Sequence, residues 1–284
     1  MKPAARWRPY RWCAWRAPAS PTSPRSPSGS AEGLVVPLLA ALQFLTRVPI
    51  RLRREPSLSR TVAWFPLAGG LIGVTVGGVA AGMWELTPPL VAAAVAVTVG
   101  LLLTGAFHED GLGDIADAFG GGWTVERRLE ILKDSRHGTY GVAAMCASIV
   151  VRIVALGSLP GPAAMFAAAV AAHTMGRVAA VGLAGSMRLA TNTGLGADYG
   201  RSTTPLRATI GVVSGLAVTA LATGWWVGPL AGAALAAAAA TGLLARRKIG
   251  GISGDVLGAA EQVAECLTLV VISGLALHQG LYWP

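Results

Sequence analysis

Between Thr104 and Gly141 the chain reads TGAFHEDGLGDIADAFGGGWTVERRLEILKDSRHGTYG, and seven of its fourteen acidic residues fall there, from Glu109 to Asp134. Asp110, Asp114 and Asp117 follow one another at i, i+4 and i+7, a spacing that an α-helix turns onto one face. Stacked carboxylates repel unless a positive charge sits among them. A hard divalent cation such as Mg²⁺, which takes oxygen ligands, meets that need. The run before these acids is apolar enough to cross a membrane, so the acidic face is expected at a membrane surface, where it suits an enzyme handling phosphate esters. A plainer explanation is a solvated helix start favoured by the helix dipole. It leaves the glycines at 111, 113 and 120–122 unaccounted for. Glycine weakens a helix, but it lets a backbone approach a bulky ligand closely. His108 is either a hydrogen-bonded surface residue or, beside the acids, a proton acceptor or phosphate contact.

Three further groups stand out. Lys133-Asp134-Ser135-Arg136-His137-Gly138-Thr139 packs cations, hydroxyls and glycine just before an apolar run. It reads either as the basic flank of a membrane helix or as a phosphate-binding turn facing the acidic helix. In GDVLGAAEQVAE, residues 254–265, Asp255, Gly258, Gln262 and Glu265 share one helical face, with Glu261 off it. Carboxylates entering a membrane span are costly, which makes Glu265 a functional candidate and the segment a second source of ligands. Around TRVPIRLRREP, residues 46–56, Arg51, Arg53, Arg54 and Arg60 are expected at lipid headgroups, and Arg47, at the end of an apolar helix and before Pro49, at substrate. Arg152 and Arg177 lie within apolar runs and need partners, either structural carboxylates or catalytic groups. Asn192 to Gly196, NTGLG, is a glycine-rich turn that would shape the site.

The elements that must position these groups are membrane helices. The chain is 53% hydrophobic and 13% charged, with a mean hydropathy of +0.56; soluble domains carry about 25% charged residues. We expect an all-α, polytopic helix bundle. Residues 34–46 are too short to span about 30 Å of hydrocarbon and suggest an interfacial or re-entrant helix. Seven longer runs follow, at roughly 62–84, 88–106, 140–159, 162–187, 208–227, 229–245 and 256–279. With the N-terminus inside, all but two of the 23 Lys and Arg residues fall on the inner side, and those two, Arg152 and Arg177, lie within runs. The positive-inside rule then puts the N-terminus and the acidic segment in the cytoplasm of a multi-pass cell (inner) membrane protein. The net charge of +9 is spread over loops between apolar runs, so it indicates a lipid bilayer and no nucleic acid. Residues 1–33, rich in Arg, Trp, Pro and Ser, lack the apolar core of a secretory signal and read as a disordered cytoplasmic extension to a membrane-embedded domain at 34–284. Cys13, Cys146 and Cys266 have no metal or redox spacing, and no structural disulfide is expected.

Taken together, FLTRVPI at 44–50, WFPLAGGLIG at 64–73, TGAFHEDGLGDIADAFGG at 104–121, RRLEILKDSRHGTYG at 127–141, GLG at 194–196 and GISGDVLGAAEQVAE at 251–265 resemble the cobalamin synthase family, also described as adenosylcobinamide-GDP ribazoletransferase or cobalamin-5′-phosphate synthase. The resemblance runs from about residue 34 to the C-terminus. It departs at Glu109, where an apolar residue is expected, and says nothing of the N-terminal segment. It implies a Mg²⁺-dependent, multi-pass membrane transferase. The 3′-hydroxyl of α-ribazole, or of its 5′-phosphate, attacks the cobinamide-linked phosphate of adenosylcobinamide-GDP, and GMP leaves. Displacement at a pyrophosphate requires neutralised oxygens, an oriented hydroxyl and a stabilised leaving phosphate, much of which carboxylate-held metal can supply. On this reading Asp110, Asp114 and Asp117 hold Mg²⁺, with Asp255 and Glu265 completing the set. Arg47, Lys133, Ser135, Arg136 and Gly138 bind substrate. His108 or one of the three aspartates accepts the hydroxyl proton. A homo-oligomer is left open.

Two rival classes are weaker. A CDP-alcohol phosphotransferase requires D-x2-D-G-x2-A-R-x8-G-x3-D-x3-D, whereas here Asp110-Gly111 is followed by Leu112-Gly113-Asp114 with no Ala-Arg. A secondary transporter places its site near the bilayer midplane, whereas these acids gather at helix mouths.

Overall fold

A computed structural model describes residues 35–52, 58–190 and 200–278 of the chain. The expectations for residues 1–33, for Arg53 and Arg54, for Cys13 and for the NTGLG turn lie outside them. Every named element among the described residues is helical. These are α1 (Val35–Leu45), α2 (Leu58–Val62), α3 (Phe65–Trp84), α4 (Pro89–Thr104), α5 (Phe107–Gly121), α6 (Val125–Ile131), α7 (Thr139–Gly157), α8 (Pro162–Ser186), α9 (Pro205–Thr223), α10 (Val227–Ile249) and α11 (Gly254–His278). The all-α membrane bundle is thus observed. Five helical stretches are long and apolar enough to cross a membrane, and six are if the bent pair α4–α5 counts as one. One of the five, Pro205–Ile249, contains both α9 and α10. It is interrupted at Gly224, whose φ of 59° leads into a single 3₁₀ turn.

The bundle is built around α8. Of its apolar window, 89% is buried, against 28% for α7, whose Val142, Val150 and Val154 point outward toward the lipid position. Composition explains the difference. α8 is rich in Ala, with three glycines and a single Phe, and small side chains let neighbouring backbones close in where lipid gives no hydrophobic drive to associate. α3 exploits this with glycines at i, i+4 and i+8. A Cβ on Gly69 would lie 2.5 Å from the His173 carbonyl oxygen, one on Gly73 2.6 Å from Val170 Cα, and one on Gly77 2.8 Å from the Phe166 carbonyl oxygen.

The turn from α4 into α5 positions the acidic segment. α4 ends at Gly105 in the left-handed region (φ 70°), and Ala106 follows there at φ 56°. Ala106 is the one non-glycine residue with positive φ among those described. A left-handed alanine costs on the order of 1 kcal/mol, so the surrounding packing has to enforce the turn. Two residues that supply that packing are visible. The Arg47 side chain lies across Gly105 where a β-carbon would otherwise sit, and the Arg47 backbone N–H donates to the Leu103 carbonyl at 2.8 Å. Phe107 packs edge-on to Phe44 of α1 at 5.5 Å. The outcome is an 88° bend that swings α5 off the α4 axis.

The polar helix ends meet at one end of the bundle. Arg128, from α6, donates to the carbonyls of Gly122 and Lys248. The strand-like bridge Leu189↔Ile252 ties the end of α8 to the entry of α11. Gly111 of α5 lies against the backbone of Asp255, with a β-carbon there only 3.0 Å from the Asp255 carbonyl oxygen. Motifs separated by about 140 residues thereby become neighbours.

Candidate functional site

α5 carries its acids on two sides. Asp110, Asp114 and Asp117 follow one edge, as their spacing requires, while His108 and Glu109 turn into the bundle and are buried. Asp110 is exposed and Asp114 half-buried in a mouth shared with Asp255. Burial, with repulsion from Asp110 and Asp255, pushes the Asp114 carboxyl up to about 7. A carboxyl in that condition binds a proton or a cation readily.

Among the described residues, Asp110, Asp114 and His137 each offer a candidate ligand atom within 4.8 Å of the others. His137 Nε2 lies 3.2 Å from Asp110 Oδ1, and its Nδ1 lies 3.5 Å from Asp114 Oδ1. Oxygen-dominated donors, a shared negative charge and access from the polar end fit a divalent cation such as Mg²⁺.

Asp117 does something else. Its Oδ2 accepts the Gly138 N–H at 2.6 Å and its Oδ1 accepts the Gly141 N–H at 2.9 Å. The expected metal ligand is thus a carboxylate clamp on the first turn of α7, where free N–H groups and the helix dipole favour an anion. The same contact corrects the role expected of Gly138, whose N–H is already committed and is not open to a phosphate. Lys133, Ser135 and Arg136 are exposed around this clamp. Arg136 holds Asp134 with two bonds, at 3.0 and 2.7 Å, and that pairing keeps the Asp134 carboxyl down at about 2. Arg47 is exposed where it crosses the α4–α5 bend.

His108 and Glu265 also need correction. His108 faces α11, with its Nε2 2.6 Å from Glu261 Oε2, rather than lying beside the aspartates. Two positions along a helix rotate a side chain by about 200°, and that separates His108 from Asp110. Glu265 belongs to a buried ionic cluster. Its Oε1 accepts from Arg177 at 2.5 Å and lies 2.6 Å from His173 Nδ1, and its Oε2 accepts from Arg152 at 3.3 Å. Surrounded by cationic and imidazole donors, it is not an outlying member of the aspartate set. Glu261, expected off the ligand face, stands beside it and reaches Arg177 at 2.7 Å. Gln262 instead turns to Ser148 of α7. Arg152 closes the cluster by donating to Glu109 at 2.8 Å. Of the two alternatives open for Arg152 and Arg177, the structure shows carboxylate pairing, and the partners are three glutamates, Glu109, Glu261 and Glu265.

Sequence reasoning did not single out His137 or His173. His137 carried one usable signal, its place between the Lys133–Arg136 cations and Gly138. His173 sits in an alanine-rich run with none. An apolar groove of about 620 Å³ lies between α3, α8 and α9, lined by residues that include Val74, Phe166, Val218 and Leu221, with no titratable group among its lining residues.

A family model described as Cobalamin-5-phosphate synthase matches residues 37–273. Among curated relatives, an adenosylcobinamide-GDP ribazoletransferase of Xanthobacter autotrophicus is 39% identical over 258 residues, covering 86% of this chain and 96% of the relative. Proteins of the same name from Ralstonia pickettii and Shewanella woodyi are 38% and 35% identical, over 82% and 84% of this chain and 93% and 95% of theirs. No solved structure matches.

Proposed function

The chain belongs to the cobalamin-5-phosphate synthase family, and from that premise we propose that it transfers the adenosylcobinamide phosphate group of adenosylcobinamide-GDP to α-ribazole or α-ribazole 5′-phosphate, with Mg²⁺ held at Asp110 and Asp114. The 3′-hydroxyl oxygen of the ribazole forms the new bond to the cobinamide-linked phosphorus. The pyrophosphate bond to that phosphorus breaks, GMP carries away the bond's electron pair, and the hydroxyl proton passes to a base. The observation that carries this reading is the close carboxylate pair Asp110 and Asp114 at the polar mouth of a membrane bundle, reached by His137 of an exposed basic turn. Bound Mg²⁺ would neutralise the pyrophosphate oxygens.

The chain's own residues supply the rest. Lys133 and Arg136 stand exposed on the turn that carries His137 to the acids, where they can draw phosphate oxygens; Arg136 can exchange its surface pairing with Asp134 for a phosphate at little cost, because exposed ion pairs contribute about 0–1 kcal/mol. One of the aspartates at the mouth, rather than the buried His108 held by Glu261, is placed to receive the hydroxyl proton. Arg47 braces the bend that presents α5. The mouth is proposed to face the cytoplasm, since the Lys and Arg residues concentrate on that side.

The test is direct. Protein in detergent or vesicles is incubated with adenosylcobinamide-GDP and either nucleophile, with Mg²⁺ or with EDTA, and corrinoid product and GMP are followed by chromatography. Equimolar GMP and complete corrinoid, abolished by EDTA, are expected. No product from folded protein with either nucleophile would overturn the proposal.

A further inference from the structure

We propose that His137 is a direct ligand of the cation held by Asp110 and Asp114, so that this site carries an imidazole nitrogen and favours Mn²⁺ over Mg²⁺ more strongly than carboxylates alone would. The inference rests on the metal reading above.

Three features of the fold put His137 there. The first is proximity. Each ring nitrogen faces a different carboxylate, Nε2 at 3.2 Å from Asp110 and Nδ1 at 3.5 Å from Asp114, and one ligand atom from each of the three residues lies within 4.8 Å of the others. The second is anchorage. Asp117 clamps the N–H of Gly138, the next residue, so the loop cannot carry His137 away from α5 without breaking a charge-assisted bond. The third is a seat. A β-carbon on Gly113 would lie 3.3 Å from His137 Nδ1 and 3.2 Å from Met145 Sδ, so the missing side chain is what leaves room for the ring against the helix. The ring is about one-quarter exposed, open enough for an ion to enter from the polar side.

The chemistry follows from ligand softness. Mg²⁺ requires oxygen ligands in near-ideal octahedral geometry and gains little from imidazole. First-row transition ions bind imidazole well, with affinity rising from Mn²⁺ along the series. If His137 served only as a hydrogen-bond donor to two carboxylates, its removal would alter affinity for both ions alike and leave selectivity unchanged.

The experiment uses the full chain in detergent, loaded with Mn²⁺, and compares it with His137→Leu and Asp114→Asn. Pulsed EPR reads ¹⁴N coupling to Mn²⁺, and competition titration reads the Mn²⁺ to Mg²⁺ affinity ratio. The expected result is a ¹⁴N coupling in the unaltered protein that disappears in His137→Leu, while that variant still binds Mg²⁺ and its Mn²⁺ preference falls by about tenfold or more. Saturable Mn²⁺ binding that depends on Asp114 but shows only oxygen ligands overturns the role of His137 and leaves the metal reading intact. The same holds for a ¹⁴N coupling that survives in His137→Leu. No saturable binding of either ion to folded protein overturns both.

Discussion

The Asp117 carboxylate accepts the backbone N–H of Gly138 at 2.6 Å across 21 residues of chain. Through this contact, the acidic helix and the basic turn form a single unit. A second bond, from Gly141 to Asp117, fixes the direction of α7 as well. The arrangement separates residues that bind from residues that hold the binders in place, and the two classes are expected to respond differently to substitution.

Asp114→Asn is expected to insert and fold normally, because it removes a repelled, partly buried charge. Turnover should fall by at least about a hundredfold, the scale seen when one group that stabilises developing charge is lost. Initial-rate assays at saturating Mg²⁺, with size-exclusion profiles as the folding control, check this.

Asp117→Ala should show the opposite pattern. Two hydrogen bonds to a carboxylate disappear and two N–H groups at the α7 terminus lose their partner, a loss of about 3 kcal/mol. The thermal midpoint should drop clearly, whereas that of Asp114→Asn should hold or rise. Equal midpoints for the two variants would show that Asp117 is not an anchor.

The pH dependence follows from Asp114. Its carboxyl titrates near 7 in the folded chain against an ordinary value of 3.8. An acid raised by folding stabilises the folded state while protonated and loses that contribution as pH rises through the folded value. Metal-free protein should therefore become less stable between about pH 4 and 7. A cation competes with the same proton, so the Mg²⁺ concentration for half-activation should fall as pH rises toward 7. Saturating Mg²⁺ should flatten the stability profile. Thermal unfolding across pH, with and without Mg²⁺, measures both.

The buried ion cluster is expected to matter for folding. Glu265→Ala leaves Arg177, Arg152 and His173 without their shared carboxylate. Removing one partner of a buried pair costs about 3–5 kcal/mol. The protein should lose yield and thermal stability. In the fraction that folds, Mg²⁺ affinity should stay within a few-fold of the unaltered chain, because Glu265 lies in the ionic cluster and not with Asp110 and Asp114. A selective loss of metal affinity at full stability would return Glu265 to the metal set.

Close packing of α3 on α8 offers an internally controlled test. Gly73→Leu places a β-carbon 2.6 Å from Val170 Cα, a backbone atom that cannot move aside, whereas Gly78 has nothing within 4 Å. The first variant should fail to give monodisperse protein and Gly78→Leu should be tolerated, as judged by detergent chromatography.

Much of this protein was legible in its residues. Apolar runs flanked by charge determine helices in a membrane by simple solvation, without reference to any partner. Likewise, the i, i+4, i+7 spacing of Asp110, Asp114 and Asp117 determines a shared helical edge, because helix geometry is local. The motifs at 104–121, 127–141 and 251–265 were enough to indicate the family. What the residues could not specify was the use of each acid, since a carboxylate's role depends on what lies opposite it. Asp117 and Asp114 are equivalent by spacing, yet one faces the start of α7 and the other an open mouth. Glu265 and Asp255 belong to one helix, yet α8 brings Arg177 and His173 to the first, whereas the acidic helix approaches the second. Those oppositions come from the left-handed turn at Gly105 and Ala106 and from glycine-mediated contact of α3 with α8. They are long-range packing decisions, and they exist only when the chain is folded.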